Sequence, residues 1–459
     1  MTPAVSYPAY LPAAFWREPL VETRWLGLAT LWAAHGLLGL VMHRSAAVAT
    51  MHAVATLLGV FCVALASSRA CHVLCAAAYV AGAEVLWRMC EVSLFWELGK
   101  YAVTTILVVA LLRSTRPRLP GRILLYFMLL LPSAVISYFS FGFSNFRRAV
   151  SFNLSGALAL TMAVCFCSNA RLTRPELRRV FLAFVTPIVG VAAIAVLSTY
   201  TNPAIRFTTE SNFLTSGGFG PNQVSSVLGL GFVLVLLYLV QAATGGLRRL
   251  LLFGLLGVFA MQSAMTFSRN GLAVALGALL AGAPFFVAGE RGQRRRLLGL
   301  VAVAGVLGAV LVLPALDAFT GGKLTKRFQD TELSHRETYF AEDLNLWLAH
   351  PLYGVGVGIS RFGHSGFAAP HTELSRLLAE HGLLGAAALL VLVAAAVRRF
   401  RTAQDRAERA FLTVMLVWSF LYMTVNALRL AAPGLVFGLA FLGLLPDRPE
   451  ARHSAVSEV

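Results

Sequence analysis

The sequence predicts an all-α, polytopic membrane protein. Three observations predict it. The chain is 58% hydrophobic and only 13% charged, whereas soluble domains carry roughly 25% charged residues. Apolar runs close to the roughly 20 residues that span a bilayer recur along the whole chain. Lys and Arg gather in the short connections between those runs, as membrane topology demands.

The apolar runs lie near 25–42, 48–66, 70–88, 95–112, 123–141, 149–167, 178–198, 222–242, 250–268, 271–288 and 297–316. The last three lie near 377–397, 409–427 and 431–445. Those at 70–88 and 431–445 are the weakest, so the expected count is about 12–14 helices. The first 24 residues hold four prolines and no apolar core, unlike a cleaved signal peptide. With the N-terminus inside and strict alternation, RSTRPRLPGR (113–122), NARLTRPELRR (169–179), GGLRR (245–249), ERGQRRR (290–296) and RRFRTAQDRAER (398–409) all fall on the inner side. That side then carries about twice the Lys and Arg of the outer side, and both termini are cytoplasmic.

The expected organisation is an N-terminal helical part (1–198), a first long outer loop (199–221), further helices (222–316), a large outer loop (317–376), and C-terminal helices with a cytoplasmic tail (377–459). Loops longer than about 15 residues in a compact protein are usually functional or disordered. The larger one mixes aromatics with charges and is expected to fold. Its WLAHPLYGVGVG portion reads as a helix stopped by His350-Pro351, then a glycine turn.

The net charge of +17 does not indicate nucleic acid, because the arginines already follow membrane topology. The six cysteines fall in or beside apolar runs without ligand spacing and read as small hydrophobes. No phosphate-binding glycine loop, dinucleotide fingerprint or metal motif is present, so no cofactor and no metal are expected.

The polar residues of interest lie on the outer side. Arg206 stands in the first long loop. GGFGPNQVSS (217–226) closes that loop and places Asn222, Gln223 and Ser225 at a helix start, which is either an anion site or a capped junction. TFSRNG (266–271) puts Arg269 in a tight turn between two spans, as an anion contact or as a snorkelling side chain. KLTKRFQDTELSHRETYF (323–340) carries Lys323, Lys326, Arg327 and Arg336, of which Arg336 opens a helical stretch. In PHTELSRLLAEHGLLG (370–385), Pro370 blocks any earlier helix, and His371 stands at the start of the next. The helix field there favours the neutral, basic imidazole. Glu373 and Arg376 are spaced to pair. Within the first half, EVLWRMCEVSLFWELGKY (84–101) offers Glu84–Arg88 and Glu97–Lys100 at helical pair spacing. These intramembrane charges are either functional or mutually neutralising.

Taken as an ordered set, these stretches resemble the O-antigen ligase family, which also groups O-antigen polymerases and bacterial protein O-oligosaccharyltransferases. Its mark is a His and a small polar residue, nine residues, then GxxG; here His371-Thr372 precede Gly382-Leu383-Leu384-Gly385. Thr372 stands where Asn, Ser or Gln is usual. HPLYGVGVG (350–358), SHRET (334–338), SRNG (268–271) and FGPNQ (219–223) resemble the family's other landmarks, in its order. The resemblance implies a lipid-phosphosugar glycosyltransferase fold (GT-C-like) with a long periplasmic loop, in the bacterial inner membrane. It implies a glycan on undecaprenyl diphosphate as donor and a sugar hydroxyl as acceptor, on lipid A core or a growing glycan. His371 would be the catalytic residue, and Arg206, Arg269 and Arg336 would contact the diphosphate. Asn222, Gln223, Glu373 and Arg376 would support the substrate and the loops. A polymerase is the alternative within the family; a lipid-linked glycan flippase or another transporter is the alternative outside it.

Overall fold

The computed structural model describes residues 25–241, 245–287, 308–330, 336–367 and 370–445, with a few positions between 294 and 306. The expectations for residues 1–24, for the C-terminal tail, for most of the segment 290–296 and for part of the run at 297–316 lie outside the described residues.

The chain is helical nearly throughout. The first seven helices are α1 (Trp25–Arg44), α2 (Ala46–Ala66), α3 (Ala70–Met89), α4 (Leu98–Leu112), α5 (Gly121–Leu130), α6 (Pro132–Cys167) and α7 (Arg174–Thr201). Then come α8 (Pro221–Gln241), α9 (Gly246–Met265), α10 (Asn270–Val287), α11 (Leu313–Phe319), α12 (Lys323–Gln329) and α13 (Arg336–Ala349). The last are α14 (Glu373–Arg401), α15 (Arg406–Val425) and α16 (Ala431–Leu439). Among the described residues, ten helices are long and apolar enough to cross a membrane. Exposed Leu37, Met51, Leu58 and Leu280 on the outside of the bundle are what a lipid-solvated surface requires. Four of the six cysteines are buried, and all six are free.

One of the ten, Gly121–Cys167, runs for 47 residues, about 70 Å of helix at 1.5 Å per residue. That is more than twice a bilayer core. The backbone breaks at Gly142 (φ 68°), and the chain turns there: Gly356 lies against Ser137 and Gly358 against Ala149, one on each arm. Two crossings result, as the runs at 123–141 and 149–167 predict. The weak run at 70–88 forms a complete helix, 78% of it buried. The run at 431–445 does not form a full span. Its helix, α16, is nine residues long, about 14 Å, and the chain then enters β2 (Gly443–Leu445), which pairs in parallel with β1 (Arg171–Thr173). Small residues allow this: Gly434 and Gly438 lie directly against Leu160 and Ala163 of α6.

The connections fall alternately at two ends of the bundle. At one end, β1 meets β2, Arg113 donates to the carbonyls of Ala64 and Ser67, and Arg399 pairs with Glu408 at 2.5 Å. The arginine-rich segments 113–122, 169–179 and 398–409 are at this end. At the other end are the two long loops and the turn at 266–269. Asn212 N–H bonds Thr266 O at 2.9 Å, Phe207 stacks on Phe267, and Phe141 meets Phe362.

Candidate functional site

The site is built on a broken helix. α14 has non-helical geometry at Gly382 (φ 60°, ψ −139°), a region open essentially to glycine alone. The break frees backbone groups that an unbroken helix would pair internally. The HPLYGVGVG loop pairs them instead. Val355 N–H donates to Ala379 O at 2.9 Å, and Gly356 N–H to Glu380 O at 3.1 Å. In return, Leu383 N–H donates to Pro351 O at 2.8 Å. The approach is so close that a Cβ on Gly382 would meet Pro351 O at 2.5 Å, and one on Gly354 would meet Glu380 backbone at 2.3 Å. The loop and the GxxG sequence are therefore two halves of one joint. Beside it, a groove of about 650 Å³ is lined by Ile136, Ser140, His350, Leu352, Tyr353 and Ile359.

Ten residues before Gly382, Thr372 caps α14 by accepting Ser375 N–H at 3.1 Å. His371 precedes the cap, half-buried, with the Tyr339 ring 5.0 Å from its own. Tyr339 belongs to α13 and lies 5.5 Å from the ring of His364. His364 in turn bonds buried Asp343 at 2.7 Å. In the arm of α14 before Gly382, Glu373, Ser375, Arg376, Glu380 and His381 are all buried. Arg376, 1% exposed, pairs with Glu373 at 2.5 Å and with Glu380 at 2.8 Å. The expected Glu373–Arg376 pair is thus present, and Glu380 makes it a triad. Of the first-half pairs, Glu84–Arg88 forms at 2.6 Å, whereas Lys100 donates to Phe152 O at 3.1 Å instead of pairing with Glu97.

The arginines of the long loops come together around the 266–269 turn. Arg269 donates to the Asp330 carbonyl. Arg327, buried on α12, donates to Phe267 O at 3.0 Å and lies 3.7 Å from the Asp330 carboxylate. Burial pushes the Arg327 guanidinium below its ordinary value, the Arg269 charge adds to this, and Asp330 and Glu210 oppose it. Two guanidiniums therefore share a partly desolvated place. Arg206 is exposed beside them: its carbonyl accepts from Asn212, and the next residue, Phe207, stacks on Phe267 at 5.7 Å. Arg336 is the first residue of α13, and its side chain lies outside the described residues.

Asn222 and Gln223 tie the two groups together. Asn222 accepts from Ser268 Oγ at 2.7 Å, next to Arg269. Gln223 accepts from Arg88 at 3.0 Å. Arg88 also donates to Arg429 O at 3.0 Å, and Arg429 donates to Pro370 O at 2.5 Å, next to His371. A bonded path thus runs from the arginine turn to the histidine. Sequence reasoning missed Arg429, whose only signal is a lone cation in the apolar stretch NALRLAAP (426–433). It also passed over Arg327 in favour of Arg336. Among the described residues, no group of three His, Cys, Asp or Glu side chains gathers to hold a metal ion.

Fold and site define a polytopic membrane protein whose polar centre joins a broken helix to a loop-borne arginine cluster. Residues 260–390 match the family described as O-antigen ligase, and this domain match supports an O-antigen ligase/polymerase family. The matched segment holds the 266–269 turn, α12, α13, the HPLYGVGVG loop, His371 and Gly382. FGPNQ precedes it. No curated protein matches the chain. The family implies a glycosyltransferase- or ligase-type activity with lipid-linked glycan and acceptor substrates in general.

Proposed function

We propose that the protein transfers a glycan from undecaprenyl diphosphate to a sugar hydroxyl of lipid A core, at the periplasmic face of the bacterial inner membrane. The observation that carries this reading is the placement of His371. It stands before a capped helix whose break interlocks with the HPLYGVGVG loop, inside the family-matched segment and on a bonded path to the arginine turn. The arginine-rich segments 113–122, 169–179 and 398–409 support the sidedness: they lie at the end opposite the long loops.

In this reading the neutral imidazole of His371 removes the proton from the acceptor hydroxyl as its oxygen attacks the anomeric carbon. The bond from that carbon to the diphosphate oxygen breaks, and the configuration inverts. Undecaprenyl diphosphate leaves with growing negative charge. Arg269, Arg206 and Arg327 stabilise that charge more in the transition state than in the ground state. Arg336 joins them from the start of α13. Arg376 and Glu373 hold the helix behind His371, while Asn222 and Gln223 hold the loop junctions. The folded segment 317–376 covers the site and excludes water.

The test incubates purified protein with lipid-linked repeat units, with and without lipid A core. Glycan moved to core supports the ligase. Longer chains on the donor lipid identify a polymerase instead. Donor crossing vesicles without any new glycosidic bond identifies a transporter.

A further inference from the structure

Glu84 and Arg88 sit in an otherwise apolar helix, 2% and 9% exposed. Burying charges this way is costly unless they pair and are hydrogen-bonded. Their bonds show what they hold. One Glu84 oxygen takes Arg88, and the other takes Ala431 N–H at 2.6 Å, the first amide of α16. Arg88 gives one bond to Arg429 O at 3.0 Å and one to Gln223 at 3.0 Å, and its guanidinium lies 4.7 Å from the Trp96 ring. From the other side, Glu373 accepts Leu428 N–H at 2.9 Å. Three buried charged groups from two helices thus grip the backbone of residues 428–431. The Arg429 side chain, lodged over the Phe152 ring at 5.6 Å, carries that grip to Pro370 O.

We infer that Glu84, Arg88 and Arg429 are positioning residues, a brace through which the N-terminal half fixes Pro370 and, one peptide further, His371. This rests on His371 being the base of the proposed transfer. It also assigns the intramembrane charges a purpose other than transport. A conduction path needs groups free to exchange partners, whereas Arg88 and Arg429 are tied to the carbonyls of Arg429 and Pro370, and Glu84 is tied to Arg88 and the Ala431 amide.

The test uses the full chain in detergent or nanodiscs. Arg429→Ala should lower kcat by about a hundredfold, the scale of a small misplacement of a reacting group, and leave KM for the donor within about twofold. Arg429→Lys, which keeps one donor for Pro370 O, should recover most of the rate. A raised KM with kcat unchanged would make Arg429 a donor-binding group and overturn the brace. So would a further loss on adding Arg429→Ala to His371→Ala, because a positioning residue acts only through the histidine. A second arm needs no substrate. In a His371→Cys background, maleimide labelling above the parent's native cysteines should speed up by about threefold or more when Arg429 is truncated, because the tether is lost. An unchanged rate overturns the brace even if the enzyme reading stands. Retained transfer by His371→Ala alone would remove the base role of His371 and leave the labelling result intact. Glu84→Gln, which keeps an acceptor for Ala431 N–H, carries both arms if Arg429→Ala does not accumulate.

Discussion

Imidazole and guanidinium divide the proposed reaction between proton removal and charge stabilisation, so their variants should fail differently. His371→Ala should remain folded in membranes and lose transfer by about 10²–10⁴-fold, the usual worth of a general base. Normal turnover in that variant would take the proton-removal role away from His371. Arg269→Ala should weaken donor use, and Arg269→Lys should rescue it poorly, because an ammonium cannot form the planar bidentate fork. Full rescue by Lys would reduce Arg269 to a point charge. At this scale the sequence showed the donors but not their partners. Glu84–Arg88 and Glu373–Arg376 were readable because helical spacing sets them side by side. Arg327 and Arg429 were not, since their importance comes from carbonyls 60 residues away in the chain, as in Arg327 with Phe267, or 59, as in Arg429 with Pro370.

Among the elements, α14 shows how a sequence pattern acquires physical meaning. In the sequence, His371 stands at a helix start and GxxG falls within the apolar run at 377–397. The structure instead has two helical arms meeting at Gly382, with the HPLYGVGVG loop supplying the missing backbone partners. Gly382→Ala should therefore cost about 1–3 kcal/mol for the forced backbone, with more from the contact at Pro351 O, and should depress transfer as well. Gly257→Ala is the control. It lies inside α9 with open space around its Cα, so alanine there should be neutral or slightly stabilising. Thermal unfolding in detergent separates the two; equal melting temperatures would mean that the joint carries no strain.

For the whole molecule, the charge asymmetry of the two ends predicts sidedness. A single cysteine placed at Arg361, on the loop end, should react with an impermeant maleimide added to intact spheroplasts. One placed at Arg406, at the opposite end, should react only after lysis. The reverse pattern would move the site to the cytoplasmic face. Charge stabilisation by guanidiniums predicts that a chelator leaves transfer unchanged. Strong inhibition, restored by a divalent cation, would show that charge stabilisation depends on more than guanidiniums.

The sequence by itself determined the solvent, the helical class and the residues at which chemistry is concentrated. Bilayer thickness and the cost of unpaired backbone leave apolar chains little choice. Tertiary structure alone decided where the helices break, which arginines meet, and that α16 is a short helix ending in a strand. Those outcomes depend on backbone groups and small side chains brought together from distant segments, and no local pattern encodes such meetings.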